Sequence, residues 1–158
     1  MSKDILIKAI DESRADEIGQ VFFDAIHDGA PAYTPEQRAA WAPVPRSGSE
    51  WRERLARQRL WGAFSGDQLI GFMSLEDDAY VDFAYILSAY QGLGIFPRLF
   101  AEVESSALVA GTKLLRTHAS LMARRAFEKV GFTVTHPETV EINGIALKRF
   151  EMAKVIAG

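Results

Sequence analysis

Residues 80–96 decide how this chain is read: Tyr80-Val81-Asp82-Phe83-Ala84-Tyr85-Ile86-Leu87, then Ser88-Ala89-Tyr90-Gln91-Gly92-Leu93-Gly94-Ile95-Phe96. Residues 79–87 are apolar on both faces apart from Asp82, which predicts a central strand. From Ile95 to Ala110 the period becomes helical. Ile95, Leu99, Val103 and Ala107 form one apolar row, and Gly111 sits where a C-terminal glycine belongs. The glycine-bearing turn between strand and helix presents backbone N–H groups at the positive end of a helix dipole, a place suited to a phosphate or pyrophosphate. Glycines let the backbone approach such a group closely. Pro97 costs little, because first-turn amides have no helical acceptor. A tight strand-to-helix turn with no ligand accounts for the same residues equally well, since short glycine patterns have little specificity. Other phosphate motifs do not fit. A P-loop needs Gly-Lys-Ser/Thr, but Ile95 follows Gly94. A dinucleotide fingerprint needs a third glycine in a parallel βαβ unit.

Upstream, Leu60–Phe64 and Gln68–Leu75 read as strands joined by the hairpin signal Ser65-Gly66-Asp67, so the sheet begins antiparallel. Before them come a strand from Asp4 to Ile10 and a helix with Ser13 as N-cap and Asp16 three residues on. That helix carries Ala15, Ile18, Phe22 and Ile26 at helical spacing and closes at His27-Asp28-Gly29. Thr34-Pro35-Glu36-Gln37 caps a short helix ending near Trp41, and Ser47-Gly48-Ser49 opens another with Trp51 and Leu55. Downstream, Lys113–Ala119 is a strand, Ser120 caps a helix from Leu121 to Val130, and Gly131 ends it. Two last strands flank Asn143-Gly144, a strong hairpin signal. With no repeat or linker, the expectation is one α+β domain over residues 1–158, a mixed, mainly antiparallel central sheet flanked by helices.

Composition narrows the function. The 158 residues are 48% hydrophobic and 25% charged, as in an ordinary globular protein. Eighteen Lys+Arg against 21 Asp+Glu leave a net charge of −3, with no global pull toward nucleic acid or an anionic membrane. The absence of cysteine removes disulfides, thiolate catalysis and Cys-ligated zinc together. His27, His118 and His136 are scattered, which argues against a histidine-built metal site. Met1-Ser2-Lys3-Asp4 has no basic leader pattern, and no run approaches 18 apolar residues. The expectation is a cytoplasmic protein without metal, membrane or nucleic-acid partner.

Gln91-Gly92-Leu93-Gly94-Ile95-Phe96 resembles the Gln/Arg-x-x-Gly-x-Gly/Ala loop of the GNAT family of acyl-CoA-dependent N-acetyltransferases, which binds the CoA pyrophosphate. Ala126-Phe127-Glu128-Lys129-Val130-Gly131-Phe132 is similar to that family's helix ending, usually a Tyr followed by Glu-Lys-x-Gly-Phe. The order of elements matches over nearly the whole chain. Tyr33-Thr34-Pro35-Glu36-Gln37, Trp41 and the Asn-Gly hairpin look most like a small bacterial YafP-like branch. The resemblance implies acetyl-CoA, or a close acyl-CoA, as cosubstrate. It implies a cofactor site at Tyr85 and Ile86 through their backbone, at residues 91–96 (Leu93 and Ile95 included), at Ser120 and at Phe127.

Two residues depart from the pattern. Phe96 stands where the loop ends in a small residue, so its ring either enters the core or alters the pyrophosphate seat; the helical spacing to Phe100 favours the core. Phe127 replaces the Tyr that often protonates the leaving thiolate, and Ser120 stands where an Asn commonly precedes the helix. A thiolate is fairly stable near neutral pH, so a dedicated acid is helpful rather than obligatory.

Asp82 is the lone carboxylate on its strand and needs a partner or a task. It is read as base or cation anchor for an amine, with a structural ion pair as the equal alternative. His118 shares a strand face with Ser120 and is a candidate proton relay, or else a packed histidine. Tyr33, Trp41, Trp51 and Trp61 fall where this family builds its acceptor region; an aromatic wall and plain core packing explain them equally. The arginines at 52, 54, 57 and 59 read as a solvated helix face. The function expected is acetyl transfer to a primary amine of a small molecule or peptide, directly within a ternary complex because no Cys can carry the acyl group. The alternative is a CoA-binding sensor with weakened catalysis. Oligomeric state, a homodimer included, is not legible.

Overall fold

The computed structural model describes residues 4–29 and 32–158; Met1, Ser2 and Lys3, read above for a leader pattern, lie outside the described residues. The strands β1 (Ile5–Ile10), β2 (Gln58–Ser65), β3 (Gln68–Glu76), β4 (Tyr80–Val81), β5 (Ala84–Ile86), β6 (Leu114–Ser120), β7 (Thr133–Ile142) and β8 (Ile145–Val155) form one sheet. Its order is β1-β2-β3-β4-β6-β8-β7, with β5 paired to β3. Every pairing is antiparallel except β4 with β6, where Tyr80 faces Arg116 and Val81 faces Thr117. The expected mixed α+β architecture is therefore observed.

Helices cover both faces. α1 (Ala15–Gly29) and α3 (Ser49–Ala56) bury Ile18, Phe22, Ile26, Trp51 and Leu55 against Leu60, Phe64 and Phe72. On the other face, α4 (Ile95–Val109) lays down Ile95, Leu99, Val103 and Ala107, all nearly inaccessible, against Ala63, Ile70 and Leu115. α5 (Arg124–Lys129) joins that layer through Phe127. Between the layers the nine-residue β3 is buried on both sides. α2 (Pro35–Trp41) keeps the expected capping box, with Thr34 and Gln37 bonding each other's backbone. It is tied to the β7–β8 hairpin: Gln37 Nε2 donates to the Ala146 carbonyl, and Asn143 Nδ2 to that of Ala40. Asn143 and Gly144 both have positive φ, as this tight turn requires.

Three expectations need correction. The cap before α1 is Asp11, whose carboxylate accepts from the Ser13 amide, because a 3-10 turn at Glu12–Arg14 precedes the helix. The helix expected over 121–130 is shorter: Ser120 Oγ accepts from Ala123 N, and this side-chain bond closes a turn that delays α5 to Arg124. The strand expected over 79–87 is broken at Asp82 and Phe83. The register to β3 shifts by one residue between the Glu76–Tyr80 and Met73–Ala84 pairs, so one extra residue is inserted there as a β-bulge. Buried Ser74 latches it: its amide donates to the Phe83 carbonyl, and its Oγ accepts from Phe83 N.

Gly19 in α1 fixes the loop before α3. A Cβ there would overlap the carbonyl oxygen of Arg46. On an open helix Gly→Ala gains up to ~1 kcal/mol. Here the overlap reverses the sign, and Gly19→Ala is expected to lower stability by about 2 kcal/mol in urea unfolding, the scale of core overpacking. A stabilised variant would mean that the loop does not press on α1.

Candidate active site

The bulge opens the sheet. β4 is bonded to both β3 and β6, whereas β5, beyond the bulge, pairs only with β3. A cavity of about 420 Å³ occupies the fork. Its walls include Tyr85 and Ile86 of β5, Gln91 and Gly94 of the loop, Ser120 at the end of β6, and Trp41 of α2. Gly92 and Gly94 have φ of 78° and 76°, and an added Cβ would meet nothing within 4 Å at either position. These left-handed residues let the chain turn sharply into α4 while its backbone stays open to a ligand. The helix begins at Gly94 with no side-chain cap and no acidic residue in its first turn, so its first amides are available to an anion. Gln91 Nε2 donates to the Ile86 carbonyl at 3.2 Å and fastens the loop to the end of β5.

The residues singled out from sequence divide between this cavity and its surroundings. Tyr85, Ile86, Gln91, Gly92, Gly94, Ile95, Phe96, Ser120 and Trp41 line it, whereas the Leu93 side chain is 63% exposed and turned away. Phe96 does two things at once: it borders the cavity and packs edge-on against Phe127, with centroids 5.0 Å apart. Phe127 is buried against Phe132. Tyr33 is a buried tie rather than a wall: its O–H donates to the Lys148 carbonyl at 2.7 Å and its oxygen accepts from Leu121 N at 2.9 Å. Trp51 is core, with Nε1 donating to the Ala15 carbonyl, and Trp61 packs on the α4 face without reaching the cavity.

A narrow cleft of about 20 Å³ continues from Tyr85 and Ser120 to Asp82, His118 and Phe127. Asp82 accepts from Arg54 through both oxygens, at 3.1 and 3.0 Å, and from Gln58 Nε2 at 2.6 Å. Of the arginines read as a solvated face, Arg52, Arg57 and Arg59 are exposed and Arg54 alone is turned to a buried partner. Arg54 lies three residues after the buried Trp51, on the same side of α3, and that helical spacing carried the signal. Gln58 Oε1 is a buried acceptor with no partner among the described residues. His118 Nδ1 lies 2.6 Å from the Tyr80 hydroxyl, and its Nε2 lies 3.6 and 3.8 Å from Glu138 and Glu151. Burial first, then Arg149, holds the imidazole below its usual value, while the two glutamates pull the other way. Burial, with Asp82 nearby, pushes the Tyr80 phenol up to about 12. A protonated Tyr80 donating to a neutral His118 Nδ1 fits both shifts.

Arg125 and Lys129 of α5 also border the cavity and were not singled out from sequence. They are one helical turn apart, so their spacing puts two cations on one face toward the loop. Among the described residues no group of three or more His, Asp or Glu could hold a metal ion, and no helix is long and apolar enough to cross a membrane.

If the pocket keeps the geometry that the resemblance implies, Phe127→Tyr is expected to fold, to leave acetyl-CoA binding intact and to turn over at the parent rate or modestly faster, because residue 127 borders the Asp82–His118 cleft. Steady-state kinetics check this; a large loss of turnover would put the leaving-group position elsewhere.

Residues 29–154 match the family model described as acetyltransferase (GNAT) domain. Over 120 residues the chain is 30% identical to the uncharacterized N-acetyltransferase YafP of Escherichia coli, covering 76% of this chain and 75% of that protein. It superposes on a crystal structure of a GCN5-related N-acetyltransferase (aminotransferase, class-II) from Rhodopseudomonas palustris with TM-score 0.88, 26% identity and 98% coverage of both chains. PaiA N-acetyltransferase of Thermoplasma acidophilum, solved in complex with coenzyme A, shares the fold with TM-score 0.74 at 20% identity, covering 96% of this chain and 99% of that one.

Proposed function

The chain belongs to the GNAT acetyltransferase family and is an N-acetyltransferase using acetyl-CoA; from that premise we propose that it transfers the acetyl group directly to a primary amine of a small molecule or peptide within a ternary complex. The observation that carries this reading is the fork between β5 and β6, which opens one cavity onto strand backbone, glycine loop and α4 N-terminus together. The loop amides of Gln91–Phe96 take the pyrophosphate, with Arg125 and Lys129 as countercharge. The β5 backbone at Tyr85 and Ile86 bonds the pantetheine arm and polarises the acyl carbonyl, where negative charge grows during attack. Ser120 and Phe127 flank the sulfur, and Trp41 walls the acceptor side.

The amine arrives protonated and must lose a proton before its nitrogen forms the new C–N bond and the C–S bond breaks. Asp82 takes that proton, and the neighbouring Tyr80–His118 pair relays it: Tyr80 hands its hydroxyl proton to Nδ1 and is reprotonated from Asp82, while Nε2 releases its own toward Glu138 and Glu151. The departing thiolate leaves with no phenol at position 127, and its low basicity allows this. The absence of cysteine supports direct transfer over an acyl-enzyme.

The test is initial-rate kinetics with acetyl-CoA and a panel of primary amines, following free thiol and acetylated product. Intersecting double-reciprocal lines, with thiol released only when amine is present, are expected. Parallel lines would contradict direct transfer. Phe127 favours a second reading, a CoA-binding sensor, and tight acetyl-CoA binding without thiol release under any amine would select it.

A further inference from the structure

The cavity passes through the fork from one face of the sheet to the other. On one side it is bordered by the glycine loop, α4 and α5, and on the other by Ala25 and Ile26 of α1 and Trp41 of α2. Among the described residues that line it, the charged side chains are Arg125 and Lys129 alone, both on α5 and both turned to the phosphate side. Asp82 borders only the narrow cleft that continues from Tyr85 and Ser120. The α1–α2 side therefore offers no charge of either sign. A charged group brought there without a partner is costly. A diamine could pair one ammonium with Asp82 and would leave the second unmatched, and the carboxylate of an amino acid would find no cation.

Two aromatic rings shape that side. Trp41 and Tyr85 both line the cavity, with centroids 6.2 Å apart and planes inclined at 60°. A flat ring placed in this corner can stack offset on one wall and meet the other edge-on, the two arrangements that aromatic pairs prefer. The corner is held before any ligand arrives. Trp41 packs T-shaped with Tyr33 at 5.4 Å, and the Tyr33 hydroxyl is bonded to the Lys148 carbonyl and the Leu121 amide. Tyr85 packs edge-on with Phe22 at 4.8 Å. Walls already ordered lose little freedom on binding. Tyr85 also borders the Asp82 cleft, so one ring joins the corner to the carboxylate. An amine whose nitrogen enters the cleft lays its body along Tyr85 and against Trp41.

We propose that the acceptor is a primary arylalkylamine, with a single ammonium on a short chain and an uncharged aromatic ring held in the corner of Trp41 and Tyr85. This rests on the amine-acetylation reading above. Asp82 matches the one positive charge, and Trp41 determines specificity through acceptor binding, away from the reacting carbonyl.

The test measures kcat/KM in the parent, Trp41→Phe and Trp41→Leu with 2-phenylethylamine and three relatives. These are 2-cyclohexylethylamine, of similar size but without an aromatic face, 1,4-diaminobutane, with a second cation, and phenylalanine, with a carboxylate. In the parent, 2-phenylethylamine is expected to exceed the diamine and the amino acid by ~100-fold or more. It should exceed the cyclohexyl amine by about three- to tenfold, the worth of an aromatic pair beyond its buried area. Trp41→Leu should lower that aryl-to-cyclohexyl ratio by about threefold through the acceptor KM, and Trp41→Phe should keep most of it. A ratio of two substrates on one protein does not depend on how much of it is folded, and if Trp41→Leu does not fold at all the parent ranking decides. Equal turnover of the diamine or of phenylalanine in the parent overturns the proposal and leaves amine acetylation standing, as does an aryl-to-cyclohexyl ratio that Trp41→Leu does not change. No turnover of any of the four overturns the arylalkylamine, and if simple alkylamines and peptides also fail with acetyl-CoA bound, the amine reading falls with it.

Discussion

Gly94→Asp is expected to fold like the parent and to lose acetyl-CoA binding. At φ 76° and ψ 13° the position is left-handed, a region that Asp tolerates better than most residues. An added Cβ meets nothing within 4 Å, so no clash arises. An aspartate there would place its negative charge beside the free first-turn amides of α4. Those amides are the ones a pyrophosphate needs, and the new carboxylate would both occupy and repel. Acetyl-CoA at a hundred times its Kd should stabilise the parent by ~2.7 kcal/mol. In Gly94→Asp the thermal shift should vanish, with ligand-free stability lowered by only about 1 kcal/mol, the cost of a non-glycine residue in the left-handed region. Gly94→Asn, of the same shape but neutral, should keep part of the shift. Unchanged affinity in the aspartate variant would move the phosphate seat away from this loop.

Asp82→Asn is expected to cut kcat by ~100-fold or more while leaving the acetyl-CoA KM alone, as loss of a positioned base does. Asparagine keeps the shape and can still accept from Arg54 or Gln58. The Arg54 side chain is 36% exposed, so water screens the charge left behind and the fold should survive. The other roles for this carboxylate have different signatures. A pure ammonium anchor would raise the acceptor KM with little change in kcat. A purely structural ion pair would lower the melting temperature and preserve activity per folded molecule; that result would remove Asp82 from the chemistry and leave it as the support of Arg54.

Those two residues also mark what the chain makes legible. Gly92, Gly94 and the apolar row through Ala107 are local signals, in which a turn needing positive φ and a helix face needing cover leave fixed residue types in sequence. The Thr34 capping box and the Asn143-Gly144 turn were readable for the same reason. The bulge at Asp82 and Phe83 was not, because an extra residue in a strand shows only against its partner's register, and the latch is a serine nine residues earlier. Nor could the sequence separate Trp41, which lines the cavity, from Tyr33, Trp51 and Trp61, which do not; all are large aromatic residues between 33 and 61, and position alone distinguishes them. Arg54, Arg125 and Lys129 were within reach of helical spacing, but their targets lie on elements distant in the chain.

The most direct test of the account is an amide ¹H–¹⁵N spectrum recorded while acetyl-CoA is titrated into the protein. The largest shifts are expected at Gly92, Leu93, Gly94 and Ile95, with a second group at Ala84, Tyr85 and Ile86, all saturating with one ligand per chain. If those amides stay still while shifts gather elsewhere, for instance at the exposed end formed by Leu108, Val109, Leu114 and Val155, the fork between β5 and β6 is not where acetyl-CoA binds.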